Sequence, residues 1–308
     1  MKNLIIKDKL FIFMVTLFII LAFSTILGLN KYRDNQNLLI QDHKNLVKNC
    51  NKSDKNELSE DEINFCNKLT SSDLSEYKLN AYDGYEIYIV DYLRTYLNEF
   101  IIIAVILIGS SYYVTKYLKN RIILNEINRK KYKNIIKQLF FSSWKYALLI
   151  PLMLLITFII VYFYIGVNGF SIGLDELSGT IFENKLLIYF LIILIQSFIL
   201  SMIYININLF ISKKENTYIL SVIKSYISVI GLEILFEMII SPLLFKLFNL
   251  NIGVYLNIIN IYNYTNLTSN LNNLFVLFII MIISFIPLYF RYKNKENLII
   301  SSEKNDNS

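Results

Sequence analysis

Residues Leu186 to Ile211 read LLIYFLIILIQSFILSMIYININLFI, with no charged side chain anywhere in the run. About twenty predominantly apolar residues in a helix cross a hydrocarbon core about 30 Å thick, so this stretch reads as a membrane span. Five further stretches have the same character: Leu10 to Leu29, Phe100 to Leu118, Tyr146 to Val167, Ser225 to Phe245 and Leu274 to Phe290. Leu274 to Phe290 is short, and Ser225 to Phe245 carries two carboxylates. The composition agrees with this reading. Of 308 residues, 55% are hydrophobic and only 18% charged, with a mean hydropathy of +0.47, which is too apolar for an ordinary soluble domain. The expected fold is therefore an all-α polytopic membrane protein with about six transmembrane helices.

The charges decide orientation. The formal net charge is +6, but it lies in short blocks between the apolar runs, where basic residues report membrane topology. No nucleic-acid partner is expected. Lys2, Lys7 and Lys9 precede the first apolar run, which is long and has no clear small-x-small cleavage site, so it reads as an uncleaved anchor. With the N-terminus inside, the cytoplasmic segments hold most of the lysines and arginines, including the cluster Arg129, Lys130, Lys131 and Lys133, and few of the acidic residues. The expectation is N-in, C-in, in a multi-pass protein of the cell membrane. The chain then divides into residues 1–29 (N-terminal segment and first span), 30–99 (an extracellular segment), 100–295 (spans two to six, with a cytoplasmic segment at 119–145) and a polar cytoplasmic tail at 296–308. Richness in Asn, Ile, Lys, Tyr and Phe, with few Pro, His and Trp, is the bias of an AT-rich bacterial coding sequence.

The extracellular segment is expected to form short helices. Ser59 and Glu62 have capping-box spacing, and Asp83-Gly84 reads as a turn. Tyr85, Tyr88, Tyr92 and Tyr96 recur at helical spacing. Such a stripe suits a helix lying at headgroup level, with a ligand-binding aromatic box as the alternative. Cys50 and Cys66, the only cysteines, lie in this outer segment, where disulfides persist. A bridge between two short helices would close a loop worth about 3 kcal/mol in the chain-entropy estimate. Two cysteines and the single His43 do not make a four-ligand metal site, so no metal is expected.

Glu233 and Glu237 stand four apart in the fifth span, on one face if the helix is regular, with Tyr226 and Ser241 on that face. An ionised carboxylate at mid-membrane costs about 2.5 kcal/mol or more, so each must meet protein, a cavity or a proton. The four residues are candidates for the lining of a translocation path, where close carboxylates push one pKa upward. The alternative is interhelical glue, with Gln196, Asn206 or Asn208 as hydrogen-bond partners. Pro151, Pro242 and Pro287 lie within or at the edges of spans and decide nothing alone. Between spans two and three, Tyr132, Ile135, Ile136, Leu139 and Phe140 follow an amphipathic-helix pattern. That helix either lies on the inner membrane surface, drawn to anionic lipid, or docks a cytoplasmic partner.

Several chemistries are absent from the sequence. No Gly is followed by Lys, so no phosphate-cradling G-x-x-x-x-G-K-[ST] loop is present. No H-E-x-x-H occurs, and His43 is the single histidine. No catalytic residues are expected, and the protein is read as a non-enzyme.

The arrangement resembles the membrane subunits of ATP-binding-cassette exporters of the type-2 permease family. A short basic start, MKNLIIKDKL, leads into the first span, and a sizeable outer segment and five closely spaced spans follow. The stretch NRKKYKNIIKQLFFSSWKYALLIPL after the second span looks like that family's inner coupling helix running into span three. The uncharged stretch Asn249 to Asn273 is similar to the re-entrant elements between its last two spans. The resemblance implies that Arg129, Lys130, Lys131, Tyr132 and Lys133 lie at the contact with a separately encoded cytoplasmic ATPase. It also implies a second permease subunit, identical or related. ATP and Mg would be bound by the ATPase, with no cofactor on this chain. The expected function is the permease subunit of an exporter for a hydrophobic or amphipathic substrate, such as a peptide, an antimicrobial or a lipid-like molecule. Two alternatives stand beside it: a membrane sensor or immunity protein binding an extracellular peptide, and an ion-coupled carrier using the two glutamates, against which the lack of a repeated half counts.

Overall fold

The computed structural model describes residues 9–52, 59–71, 99–119, 126, 128–165, 186–213, 215, 217–248 and 272–294. Among these the regular structure is entirely helical, as expected of an all-α membrane protein. Three helical stretches are long and apolar enough to cross a membrane: Lys9–Lys52, Tyr132–Tyr164 and Phe190–Ser212. Shorter apolar helices occupy Ile103–Tyr112, Tyr218–Leu232, Met238–Leu247 and Leu277–Tyr292. Each of the six apolar stretches of the sequence is thus helical over its described part.

The first stretch is α1 (Lys9–Phe23) followed by α2 (Thr25–Lys52). Ser24 marks the joint, where its hydroxyl donates to the Leu21 carbonyl at 2.5 Å. The helix does not stop at the end of its apolar part. It runs on through polar sequence to Lys52, so α2 is 28 residues long and is not one of the short helices expected outside the membrane. α3 (Glu60–Ser71) begins at the capping box read from the sequence. The Ser59 backbone N–H and hydroxyl each donate to Glu62 Oε2 at 2.8 Å. The Cys50–Cys66 disulfide ties α3 to α2, with Cα atoms 5.6 Å apart. The tyrosine stripe at 85–96 and the Asp83-Gly84 turn lie outside the described residues.

The bundle is α4 (Glu99–Lys119), α5 (Tyr132–Trp144), a 3-10 turn (Lys145–Leu148), α6 (Leu149–Ile165), α7 (Leu186–Ser212), α8 (Tyr218–Ile234), a π-helical turn (Leu235–Ile240), α9 (Ser241–Phe248) and α10 (Asn272–Tyr292). The stretch that opens the sequence reading, α7, sits at its centre and packs on α4, α6, α8 and α10. A helix apolar all round belongs there. α1 packs on α6, and α5 on α4. Tyr164 near the end of α6 donates its hydroxyl to Asn30 Oδ1 at 2.7 Å, and Phe11 meets Tyr146 edge to face at 5.3 Å. Hence α1 and α6 run the same way. α7 and α10 end together beside the start of α5, so both run the opposite way: Lys213 Nζ donates to the Arg291 carbonyl and Tyr132 donates to the Tyr292 carbonyl at 2.6 Å.

Two local features follow from single residues. Gly109 on α4 lets the 3-10 turn and α1 come close, for a Cβ there would lie 2.4 Å from ring atoms of Tyr146 and 2.9 Å from Met14 Sδ. Pro242 lies two residues past the end of the π turn. Proline has no N–H to donate and its ring crowds the carbonyl four residues back, and the i→i+5 winding of Leu235–Ile240 is the local accommodation.

Around an apolar core the bundle buries many small polar side chains and exposes many large apolar ones. Ser110, Ser111, Ser197, Ser201, Asn206, Asn208, Ser221 and Ser225 are buried, while Ile20, Phe163, Leu187, Ile219, Met238 and Phe290 are exposed. Lipid as surrounding solvent accounts for this distribution.

Candidate functional site

Asn208, near the end of α7, is fully buried. Its Nδ2 donates to Ser110 Oγ at 2.6 Å and to the Leu107 carbonyl at 3.3 Å, both on α4. Its Oδ1 accepts from Ser111 at 2.7 Å, Ser225 at 2.7 Å and Ser212 at 2.9 Å. Ser212 and Ser221 share a further bond of 2.5 Å. One amide therefore joins α4, α7 and α8 through hydroxyls. A second seam lies two residues earlier, where Asn206 Oδ1 accepts from Trp144 Nε1 at 3.1 Å and its Nδ2 donates to Ser284 Oγ at 2.8 Å. That links α5, α7 and α10. A buried amide or hydroxyl must be bonded in such surroundings, and these are bonded to one another.

The sequence reading had Asn206 and Asn208 as prospective partners of the two glutamates. Their described bonds go to serine hydroxyls, a tryptophan and one main-chain carbonyl. The serines were missed. Their only signal in the sequence is small hydroxyl residues inside apolar runs, Ser110-Ser111 and the four-spaced Ser221 and Ser225, which favour close helix approach. Among the described residues the seam contains no carboxylate, imidazole or amine, and no group of His, Cys, Asp or Glu is placed to hold a metal. Its described bonds join helices to one another.

The four path candidates lie on one interrupted helix. Ser221, Ser225 and Val229 are buried at four-residue steps, and positions 233 and 237 are the next two steps. The α-helical register breaks between them, however, because Glu233 belongs to α8 and Glu237 to the π turn. The side chains of Glu233 and Glu237 lie outside the described residues. Tyr226 is partly buried against the core, and Ser241 is buried at the first position of α9.

The five coupling candidates gather at the head of α5. Arg129, Lys130, Lys131 and Lys133 are exposed, and Lys130 pairs with Glu126 at 2.9 Å. Tyr132 differs, since its hydroxyl is used by α10. The amphipathic pattern is correct, but its apolar face is buried in the bundle and not laid on a membrane surface: Ile135 and Leu139 are fully buried, with Tyr132, Ile136 and Phe140 packed beside them. Lys213, just past α7, is buried with its Nζ 5.1 Å from the Tyr292 ring centroid. Burial, and then the neighbouring Arg291, push its pKa down to about 8. Comparison of the chain with protein-family models, curated proteins and solved structures found no match in any of the three.

Proposed function

We propose that the chain is the permease subunit of an ATP-driven exporter in the cell membrane, with six spans and both termini inside. In this reading it forms, with a second permease subunit, the path for a hydrophobic or amphipathic substrate. A separate cytoplasmic ATPase binds ATP and Mg. The observation that carries the proposal is the build of α5. Its exposed basic head, Arg129 to Lys133, leads into a helix whose inner face is buried in the bundle and which winds through a 3-10 turn directly into α6. The continuous stretch Tyr132–Tyr164 is 33 residues, about 50 Å at 1.5 Å per residue, so it outruns a hydrocarbon core of about 30 Å. A push on its head is delivered to α4 and α7. Lys213, Arg291 and Lys293 lie at the same end, which supports that end as the cytoplasmic one. A π turn that holds Glu237 and follows Glu233 also supports a path there, because such turns recur at functional sites.

One other reading has an observation in its favour. The disulfide-tied pair α2 and α3 gives a sensor or immunity protein a rigid outer element. Purification of the tagged chain from its native membrane in mild detergent, with mass spectrometry of what accompanies it, separates the two. A near-stoichiometric ATPase bearing a P-loop is expected. Repeated recovery without one, under conditions that preserve a known cassette transporter, rejects the permease reading in favour of the sensor.

A further inference from the structure

Three cations lie at the joined ends of α7 and α10. Lys213 Nζ donates to the Arg291 carbonyl and lies over Tyr292. The Arg291 guanidinium lies over the Phe210 ring at 4.4 Å, and its Nε is buried without a hydrogen-bond partner. Lys293 Nζ lies 5.8 Å from the Tyr289 ring centroid. Among the described residues none of the three has a carboxylate partner, and the described ion pairs, Lys130–Glu126 and Lys224–Glu215, are elsewhere.

Cations at helix C-termini are favoured by the helix dipole, which accounts for one lysine donor on one carbonyl. It does not account for two cations within each other's field, one of them a guanidinium with an unused donor. Arginine's planar fork matches the oxygens of a phosphate in a bidentate bond, and basic pockets between membrane helices hold lipid headgroups. Beside the cations, α10 exposes Ile283, Ile286, Tyr289 and Phe290. A free phosphate has no use for that apolar strip, whereas the acyl chains of a lipid do.

We propose that Lys213 and Arg291 hold the phosphate of an anionic membrane lipid whose acyl chains lie along the exposed face of α10. Lys293 is placed to add a third, more peripheral charge. The site requires only that the bundle sit in a membrane, so it stands or falls apart from the permease reading.

The test uses the full chain, delipidated in detergent, with native mass spectrometry reading bound lipid. Phosphatidylglycerol is compared with phosphatidylcholine of the same acyl chains. Two cations predict a preference of roughly thirtyfold for the anionic lipid. Lys213→Gln with Arg291→Gln should abolish it, while Lys137→Gln on the exposed face of α5 should leave it intact. No preference in the natural sequence, or one unchanged in the double variant, overturns the site. Competition by millimolar inorganic phosphate as effective as that by the lipid overturns the lipid assignment. A second measurement needs no variant and so does not depend on the double variant folding. A phosphatidylglycerol carrying a photoreactive headgroup should label peptides around residues 205–213 and 286–294, and labelling confined to other helices rejects the proposal.

Discussion

Asn208 has no charge, yet five hydrogen bonds converge on it from two neighbouring helices and its own. Asn208→Leu keeps the volume and leaves Ser111 and Ser225 without their acceptor, so it should cost about 1–3 kcal/mol, as loss of partners for buried polar groups does. Ser225→Ala removes one bond and should cost about 0.6 kcal/mol, the average for a hydrogen bond between membrane helices. Thermal unfolding in detergent compares the two, and equal effects would show that the seam is not centred on the amide. Glu62 offers a pH test at the other end of the molecule. The Ser59 backbone N–H, then its hydroxyl, hold this carboxyl below its ordinary value. A lowered carboxylate pKa contributes stability above the unfolded value of about 4.3 that is lost as pH falls through the lower folded value. Protection of the first turn of α3 against deuterium exchange, corrected for the intrinsic rate, should therefore fall through that window. In Glu62→Gln it should be lower throughout and flat.

At the scale of elements, Gly109 decides how closely α4, α1 and the 3-10 turn approach. The Tyr146 ring in its way is fully buried, so Gly109→Ala should destabilise by about 1–3 kcal/mol through overpacking. Tyr146→Leu in the same chain should recover part of that loss in a thermal melt. The disulfide makes a separate element of α2 and α3, because it closes a short loop outside the bundle. Cys50→Ser should release α3, read as rapid deuterium exchange over residues 60–71, with the bundle's melting unchanged. Much of this level was legible in advance. Long apolar runs in lipid have few options besides a helix, so the apolar helices were readable, as were the capping box and the disulfide. The length of α2 was not, because its polar half has no apolar period and takes its helicity from continuing α1 and from anchors such as Tyr164 on Asn30. The π turn was hidden too, since Pro242 marks a disturbance without saying which winding absorbs it. The apolar stripe of α5 was visible while its destination was not, for bundle and lipid surface ask for the same pattern. The Asn208 seam joins positions about a hundred residues apart, and neither serine nor asparagine carries in its local sequence any sign of such a partner.

The whole molecule has two unlike ends. One gathers the α5 head with Lys213, Arg291 and Lys293, and the other carries the α2 rod with its clamped α3. Reversing Lys130, Lys131 and Lys133 to glutamate changes exposed groups only, so the melting temperature should hold, while the proposed permease reading predicts that ATPase association and substrate-stimulated ATP hydrolysis are lost. Retention of both would show that coupling does not pass through α5. The rod itself has an electrical consequence. With Leu10 to Leu29 in the bilayer, Cys50 lies some 20 residues further along α2, up to about 30 Å from the membrane at 1.5 Å per residue. Surface potentials decay over about 8 Å at physiological ionic strength. Whatever meets the clamped tip therefore meets it in bulk solution, beyond the reach of the lipid's own charge, and contacts made there should be indifferent to membrane composition.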